Sequence, residues 1–404
     1  MLRPCFFSIW FNYYKAGKMK LAVIGFGQAG GKITDQFLKY DIDRDLGIVE
    51  DALAVNSAKA DLKGLEYVPE RRRVLIGAEE VKGHGVGADN ELGKKIAEND
   101  FDVILNELND LRVHEVDAFL IIAGLGGGTG SGGAPVLARE LRKRYEEPVY
   151  GLGVLPSSSE GGIYTMNASR SLKTFIDQVD SLLLFDNDEW RESGESVAEG
   201  YGTLNSELVS RLAVLFGAGI VDTSSQVAES VVDSSEVINT LDCGGIATIG
   251  YASQDVEVDN GLLSRFRESE NEEDDSELVN RITSVTRQAS LGRLTMPADV
   301  SSAKRALVVV AGPPEKLNRK GIERARQWVE DEAETMEVRG GDYPVNTDKV
   351  AVVVLFSGIT DSQRVRELQE TAVEAKSNID DLRSQSKEDL SEIAKQEEDI
   401  DSLF

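Results

Sequence analysis

Ten residues restrict what this chain can fold into more than any others. Gly124-Leu125-Gly126-Gly127-Gly128-Thr129-Gly130-Ser131-Gly132-Gly133 holds seven glycines and directly follows the apolar run Ala118 to Ala123. Glycine gives up more backbone freedom on folding than any other residue, so this density is costly in a plain connector. It is useful where consecutive backbone N–H groups must face an anion at the positive end of a helix. A buried strand, this loop and then a helix from Pro135 are predicted. Proline suits a first helical turn, because its missing N–H has no partner there.

A second glycine loop, Gly25-Phe26-Gly27-Gln28-Ala29-Gly30, follows the apolar run Leu21 to Ile24. Alone it is ambiguous, since a dinucleotide site uses the same G-x-G-x-x-G turn. Such a site also wants an acid at the end of the second strand, where Asn56-Ser57 stands here. It is not a P-loop, because the glycine spacing before Lys32 fails and Ile33 replaces the hydroxyl residue. Two glycine loops at the ends of neighbouring parallel strands describe one phosphate cradle with two walls. Open α/β sheets bind their ligands at that edge.

The remaining pattern agrees with an α/β fold. Ala52 to Val55, Val149 to Leu155 and Ser181 to Phe185 read as strands between amphipathic stretches, as in a parallel sheet covered on both faces. A long helix is expected over roughly Tyr201 to Phe216. A second α/β unit follows, with strands near Ala247 to Tyr251, Arg305 to Ala311 and Val350 to Phe356 and a helix about Lys320 to Thr335. After Asp361 the chain is polar, starting helical and ending without order. The expected organisation is an N-terminal extension (1–18), a Rossmann-like parallel-sheet domain (19–200), a central helix (201–222), a second α/β domain (223–361) and an acidic tail (362–404).

Charge narrows the partners. The chain carries 71 acidic against 44 basic side chains, a formal −27. A nucleic-acid surface needs clustered Lys and Arg, and so does an anionic membrane surface, so neither partner is expected. No segment has the length of a membrane span. Two cysteines, Cys5 and Cys243, exclude a disulfide framework, and with two histidines no metal ligands are assigned. The reading is a reduced, cytoplasmic protein. From Ser377 onward nine acids face three bases, and Glu268 to Glu277 holds seven acids in ten residues, read as a solvated loop. The rest of the excess is spread over the body, where self-repulsion opposes compaction unless concentrated salt screens it. A salt-loving host is the expectation. Met1 to Lys18 is rich in aromatics and lacks acids; Met19 reads as the functional start, the alternative being a short membrane-contacting arm.

The run Gly126 to Gly132, Gly-Gly-Gly-Thr-Gly-Ser-Gly, resembles the glycine signature of the tubulin/FtsZ superfamily. Gly25 to Lys32 resembles that family's first nucleotide loop, and Asn56-Ser57-Ala58 its second. Gly83 to Asp89 is similar to the loop that senses the terminal phosphate. Glu160 falls where the family contacts ribose, and Asn187 where it places its next nucleotide asparagine. The arginine that FtsZ proteins carry four residues after the acid is Tyr164 here, so that contact does not carry over. Tyr201-Gly202-Thr203-Leu204-Asn205 resembles tubulin more than FtsZ. It implies that Tyr201 stacks on guanine while the Asn205 amide reads its edge, offering a donor and an acceptor. The implied nucleotide contacts are therefore Gln28, Ala29, Gly30, Gly31, Lys32, Asn56, Gly126, Gly127, Gly128, Thr129, Gly130, Ser131, Glu160, Asn187, Tyr201 and Asn205.

As bare residues, Asp233 and Glu236 read as surface carboxylates. The resemblance implies that they are the acids with which the next subunit orients the attacking water. Three positions apart, they would share a face of one helical turn. The family's asparagine two residues before the first acid is Val231 here. FtsZ-like length with a tubulin-like Tyr-Gly-x-Leu-Asn is similar to the archaeal CetZ group. The resemblance implies GTP and GDP as ligands, Mg²⁺ held through the phosphates, head-to-tail homopolymers, hydrolysis completed between subunits and a role in cell shape. It also implies cortical filaments beneath the envelope and a tail that meets regulatory partners. The rival readings are a division-ring FtsZ and, more distantly, an NAD-dependent dehydrogenase.

Overall fold

The computed structural model describes residues 18–190, 197–218, 232–256, 275–375 and 377. Six strands run parallel in the order β3-β2-β1-β4-β5-β6: β1 (Leu21–Phe26), β2 (Val49–Asn56), β3 (Arg73–Leu75), β4 (Ala118–Gly124), β5 (Val149–Leu155) and β6 (Ser181–Asp186). Side chains alternate between two cores, as the period of a strand requires. Leu21, Val23, Leu120 and Ile122 face one core; Ala22, Ile24, Phe119 and Ile121 face the other. Helices α1 (Gly27–Asp43) and α8 (Val197–Gly217) close the first through Phe37, Leu208 and Leu212. Helices α5 (Thr129–Arg142) and α6 (Gly162–Ile176) close the second through Leu137, Leu141 and Phe175. Helices α3 (Asn90–Asn99) and α4 (Phe101–Asn109) precede β4, and α3 lies beside α5. The apolar strands are thus those of a doubly covered sheet.

The two α/β units foreseen share one sheet. β7 (Ile246–Asp255), β10 (Lys349–Ile359), β8 (Arg305–Gly312) and β9 (Val338–Pro344) continue it in that order, with only β10 reversed. The join is narrow: β6 and β7 share two residue pairs, Leu182 with Ile246 and Leu183 with Ala247. Leu307, Val309, Val353 and Leu355 enter the same core as α8, which therefore spans both halves. On the opposite face, α10 (Asp275–Leu291) and α11 (Arg319–Glu332) pack Ile282, Val285, Ile322 and Val329 against Val308, Val310, Val352 and Val354.

Three sequence expectations are corrected. Helix α5 begins at Thr129, so Pro135 lies inside it rather than at its first turn. The glycine loop itself winds into the helix. The Ser131 carbonyl, deprived of the Pro135 N–H four residues on, accepts instead from Ser171 Oγ at 2.8 Å. The acidic run does not end as a loop: Asp275, Ser276 and Glu277 are in the first turn of α10, where negative charge suits the helix dipole, and Glu277 pairs with Arg281 at 3.3 Å. Residues 257–274, with the rest of that run, lie outside the described residues. The three strands expected in the second unit were also incomplete: β9, with its Gly340-Gly341 centre, carries no apolar alternation. A helix over 363–375 follows the last strand, as expected; the N-terminal 1–17, Val231 and the tail from 378 lie outside the described residues.

Candidate nucleotide site

The first glycine loop turns from β1 into α1 through Gly27, at φ 75°, a conformation that side chains other than glycine rarely take. A Cβ on Gly27 would stand 2.7 Å from the Gly130 nitrogen, and one on Gly30 would stand 2.1 Å from the Ile122 carbonyl oxygen. The two glycine loops therefore touch backbone to backbone, as the two-walled cradle required. Gly128 is held equally tightly, 2.4 Å from the Gly87 carbonyl by the same construction. That contact brings the Gly83 to Asp89 loop against the second wall. This third loop is tied to the end of β2 by Lys59 N donating to Gly83 O at 2.9 Å and Gly85 N to Ser57 O at 3.2 Å.

Neither helix facing the cradle is capped. No side chain caps α1 or α5, and neither has an acid in its first turn. Among the described residues no acceptor pairs with the N–H groups of Gln28 and Ala29, nor with those of Gly126, Gly127, Gly128, Thr129 and Gly130. Most of these residues are buried, and a buried N–H without an acceptor is costly. Two converging sets of such groups form an anion site. Gly127 marks its opening: it is half-buried between buried neighbours, and a Cβ there would meet nothing within 4 Å. This donor set suits the oxygens of a nucleoside polyphosphate.

Side chains brace the loops from behind. Ser57 and Thr129 hydroxyls lie 2.7 Å apart, and Asn90 donates to Ser131 Oγ at 2.7 Å. Asn167, on the buried face of α6, donates to the Ala88 carbonyl at 2.7 Å and the Gly126 carbonyl at 3.1 Å. Asp61, in α2 (Lys59–Lys63), accepts from Gln28 at 3.1 Å and from Asn56 at 3.0 Å, so those two predicted contacts share a carboxylate. Gly31 is buried beside Gly30, and Lys32 is exposed. Asp61, Asn90 and Asn167 were missed in the sequence. Asn167 left a signal, being an amide among the inward residues of an amphipathic helix; Asp61 left none.

The predicted sugar and base residues follow the next two strands. Glu160 ends a single 3₁₀ turn after β5, and its Oε1 accepts from Ser157 N at 2.8 Å in a capping box. Asn187 is buried at the start of α7 (Asn187–Trp190), directly after β6. Its neighbours are charged. Burial pushes the Asp186 carboxyl up to about 6, against the pull of Arg364 2.9 Å away. Burial works the same way on Asp188, but hydrogen bonds from Ser157 and Ser158 and the Arg364 charge leave it below the usual carboxylate range. Asn205 is half-buried on α8, one residue before Ser206, whose hydroxyl accepts from Gln36 of α1. Tyr201 is a turn earlier on the same helix, and its side chain lies outside the described residues.

The two predicted catalytic acids stand elsewhere. Asp233 precedes the helix rather than sharing a turn of it: it is the N-cap of α9 (Ser234–Leu241), accepting from Ser235 N at 3.0 Å and Glu236 N at 3.2 Å. The expected common helical face is therefore corrected, because capping turns the Asp233 carboxylate onto the helix end. Glu236 lies in the first turn and pairs with Arg339 at 2.9 Å, near the start of β9. The far end of α9 meets Arg305, at the start of β8, through the Asn239 carbonyl at 2.6 Å. All nucleotide loops leave the strands' carboxyl ends, whereas α9 lies at the edge where parallel strands begin. A six- or seven-residue strand separates these edges by roughly 20 Å. Among the described residues no group of three or more His, Cys, Asp or Glu could hold a metal ion, and no helix is long and apolar enough to cross a membrane.

Uncapped glycine loops at the carboxyl edge of a parallel sheet define a nucleoside-phosphate-binding α/β protein. Residues 20–195 match the GTPase domain of the tubulin/FtsZ family, and residues 194–374 match the C-terminal domain of tubulin-like CetZ. The chain is 60% identical over 373 residues to tubulin-like protein CetZ1 of Haloferax volcanii, covering 90% of this chain and 94% of that one. The GDP-bound CetZ1 monomer of that organism superposes with a TM-score of 0.79 at 57% identity, covering 89% of this chain and all of that chain. A GTPγS-bound protofilament of its CetZ2 gives 0.80 at 44%, over 90% of this chain and all of that one. The chain belongs to the tubulin/FtsZ family of cytoskeletal GTPases and, within it, to the CetZ tubulin-like proteins.

Proposed function

We propose that this chain binds GTP at the two-walled glycine cradle and polymerises head to tail, with hydrolysis completed by the Glu236 of the next subunit. One observation carries the reading: the phosphate loops and the acid-bearing α9 stand at opposite edges of one sheet. Neither half is a complete site. Stacking subunits along the strand direction brings the α9 edge of one onto the loop edge of another. The protofilament form of a 44% identical relative, with bound GTPγS, supports such stacking.

The chemistry follows from the groups present. Loop N–H groups at the ends of α1 and α5 hold the phosphates and receive the charge that develops on their oxygens. Mg²⁺, held through those phosphates, would neutralise further charge. The Glu236 carboxylate, held by Arg339, orients the attacking water and accepts its proton; Asp233 fixes the helix end from which Glu236 projects. Asn205 reads the guanine edge, Tyr201 stacks on the base, and Glu160 and Asn187 meet the nucleoside. In the cell we place the polymer in the cytoplasm as cortical filaments governing cell shape, with the acidic tail open to regulatory partners.

Calorimetry against GTP, ATP and NADH tests the ligand class, and GTP alone should bind tightly. Glu236→Ala should keep GTP binding and sedimentable filaments while hydrolysis and filament turnover slow by roughly a hundredfold. Normal hydrolysis and turnover in that variant would sink the trans assignment.

A further inference from the structure

Outside the phosphate cradle, one buried charge network links the end of the chain to the nucleoside side of the site. Arg364 is on the helix over 363–375, and its side chain is 12% exposed. Its Nε donates to Asp186 Oδ2 at 2.9 Å, and its Nη2 donates to the Pro156 carbonyl at 2.9 Å and lies 3.1 Å from Asp188 Oδ2. One guanidinium therefore grips the carboxylates on both sides of Asn187 and the carbonyl that opens the Glu160 turn. Asp188 passes the constraint on, accepting from Ser157 Oγ at 2.5 Å and Ser158 N at 2.7 Å. Ser157 N in turn holds Glu160.

The same helix reaches the other end of that turn. Val365 and Leu368 enter the core shared with Leu172 and Phe175 of α6, and Ala375 sits against Gly162, where an added Cβ would lie 3.1 Å from the Ala375 Cβ. Residues 157–162 are thus clamped between Arg364 at one end and Ala375 at the other. Only an arginine fork spans two carboxylates and a carbonyl in this way; a lysine is a point charge.

We propose that Arg364 is a positioning residue for nucleoside recognition, setting the Glu160 turn and Asn187 against the ribose and base of GTP. The inference rests on the reading that Glu160 contacts the ribose. Its consequence is that sugar selectivity depends on a helix far along the chain that itself touches no nucleotide.

The test compares steady-state hydrolysis of GTP and 2′-deoxy-GTP by the full chain, with thermal melts as a folding control. Arg364→Ala should raise the GTP KM about tenfold, leave kcat at saturating GTP within about twofold, and bring the preference for GTP over 2′-deoxy-GTP close to one. Arg364→Lys should recover part of the preference. A purely structural role would lower the melting temperature without moving the preference, and a folded Arg364→Ala with native preference and KM overturns the proposal. If Arg364→Ala does not fold, Arg364→Gln, which keeps most of the side chain's length and loses the guanidinium fork, takes its place and should give the same loss; a native preference there overturns it equally. Glu160→Ala separates the two layers. Native ribose preference in Glu160→Ala refutes the ribose reading and the inference with it, whereas loss there with retention in Arg364→Ala refutes the inference alone.

Discussion

Gly127→Ala isolates ligand space from folding. A Cβ at this position meets no heavy atom within 4 Å, and the backbone there is outside the left-handed region, so a methyl group costs the folded chain little. Stability should stay within about 0.5 kcal/mol of the parent, the usual range for a substitution that disturbs no packing. The same methyl projects into the opening that we assign to phosphate. It would displace one or two N–H bonds to phosphate oxygens, each worth roughly 1.5–3 kcal/mol when the acceptor is charged. Affinity for GTP should fall by about tenfold to more than a hundredfold. Two assays bear on this: fluorescence titration with a labelled GTP analogue, and thermal melts with and without GTP. Excess GTP should raise the melting temperature of the parent by linkage and leave the variant unmoved. Gly30→Ala is the contrast, because its Cβ would stand 2.1 Å from the Ile122 carbonyl in the middle of the sheet. That clash should destabilise the fold by about 3 kcal/mol even without nucleotide. A folded Gly127→Ala that binds GTP within a factor of two of the parent would refute the placement of the phosphates.

Three further outcomes follow from the same geometry. Asn167→Ala leaves the Ala88 and Gly126 carbonyls without that donor and should cost about 1–3 kcal/mol in urea unfolding, with a parallel loss of GTP affinity as both loops loosen. Lys143, Arg144 and Arg139 hold the Glu140 carboxyl down at about 2 from 4.5, so its contribution to stability is complete above pH 4.5 and is lost as pH falls towards 2. Glu140→Gln should remove that part of the acid slope in melts, and molar salt should flatten it in the parent. With a formal charge of −27, sedimentable polymer should form poorly in dilute buffer and well in concentrated salt, where the screening length shrinks to roughly 3 Å. Robust assembly in dilute buffer would contradict the salt-adapted reading.

What the sequence disclosed depended on how local the physics was. The glycine loops were legible because strand, glycines and helix are contiguous, and the buried strands because four to seven apolar residues in a row have few other uses. The start of α5 was not, because the rule for proline at a first turn ignores a rescue such as Ser171 donating to the Ser131 carbonyl from 40 positions away. Asp61, Arg339 and Arg364 were invisible for the same reason: each is an ordinary charged residue whose meaning comes from a partner brought close by the sheet. The D-x-x-E spacing suggested a shared helical face for its two acids and misled there, since the same pattern also caps a helix. Strand β9 lacked any alternation to detect, being an edge strand with two glycines at its centre.

The two-pair join between β6 and β7 has a mechanical meaning for a filament. In a head-to-tail stack, tension enters each subunit at the loop edge and leaves through α9, so it must cross from one half of the sheet to the other. Two residue pairs offer little shear resistance at that seam. The load therefore passes through the helix over 363–375, which Arg364 ties to Asp186, and above all through α8, whose Leu208 and Leu212 share one core with Leu21 on one side and Leu307 and Val353 on the other. Such a subunit behaves as two stiff plates riveted by a rod, and the rod also carries Asn205. Strain along the polymer axis is then felt first at the residue that we propose reads the base.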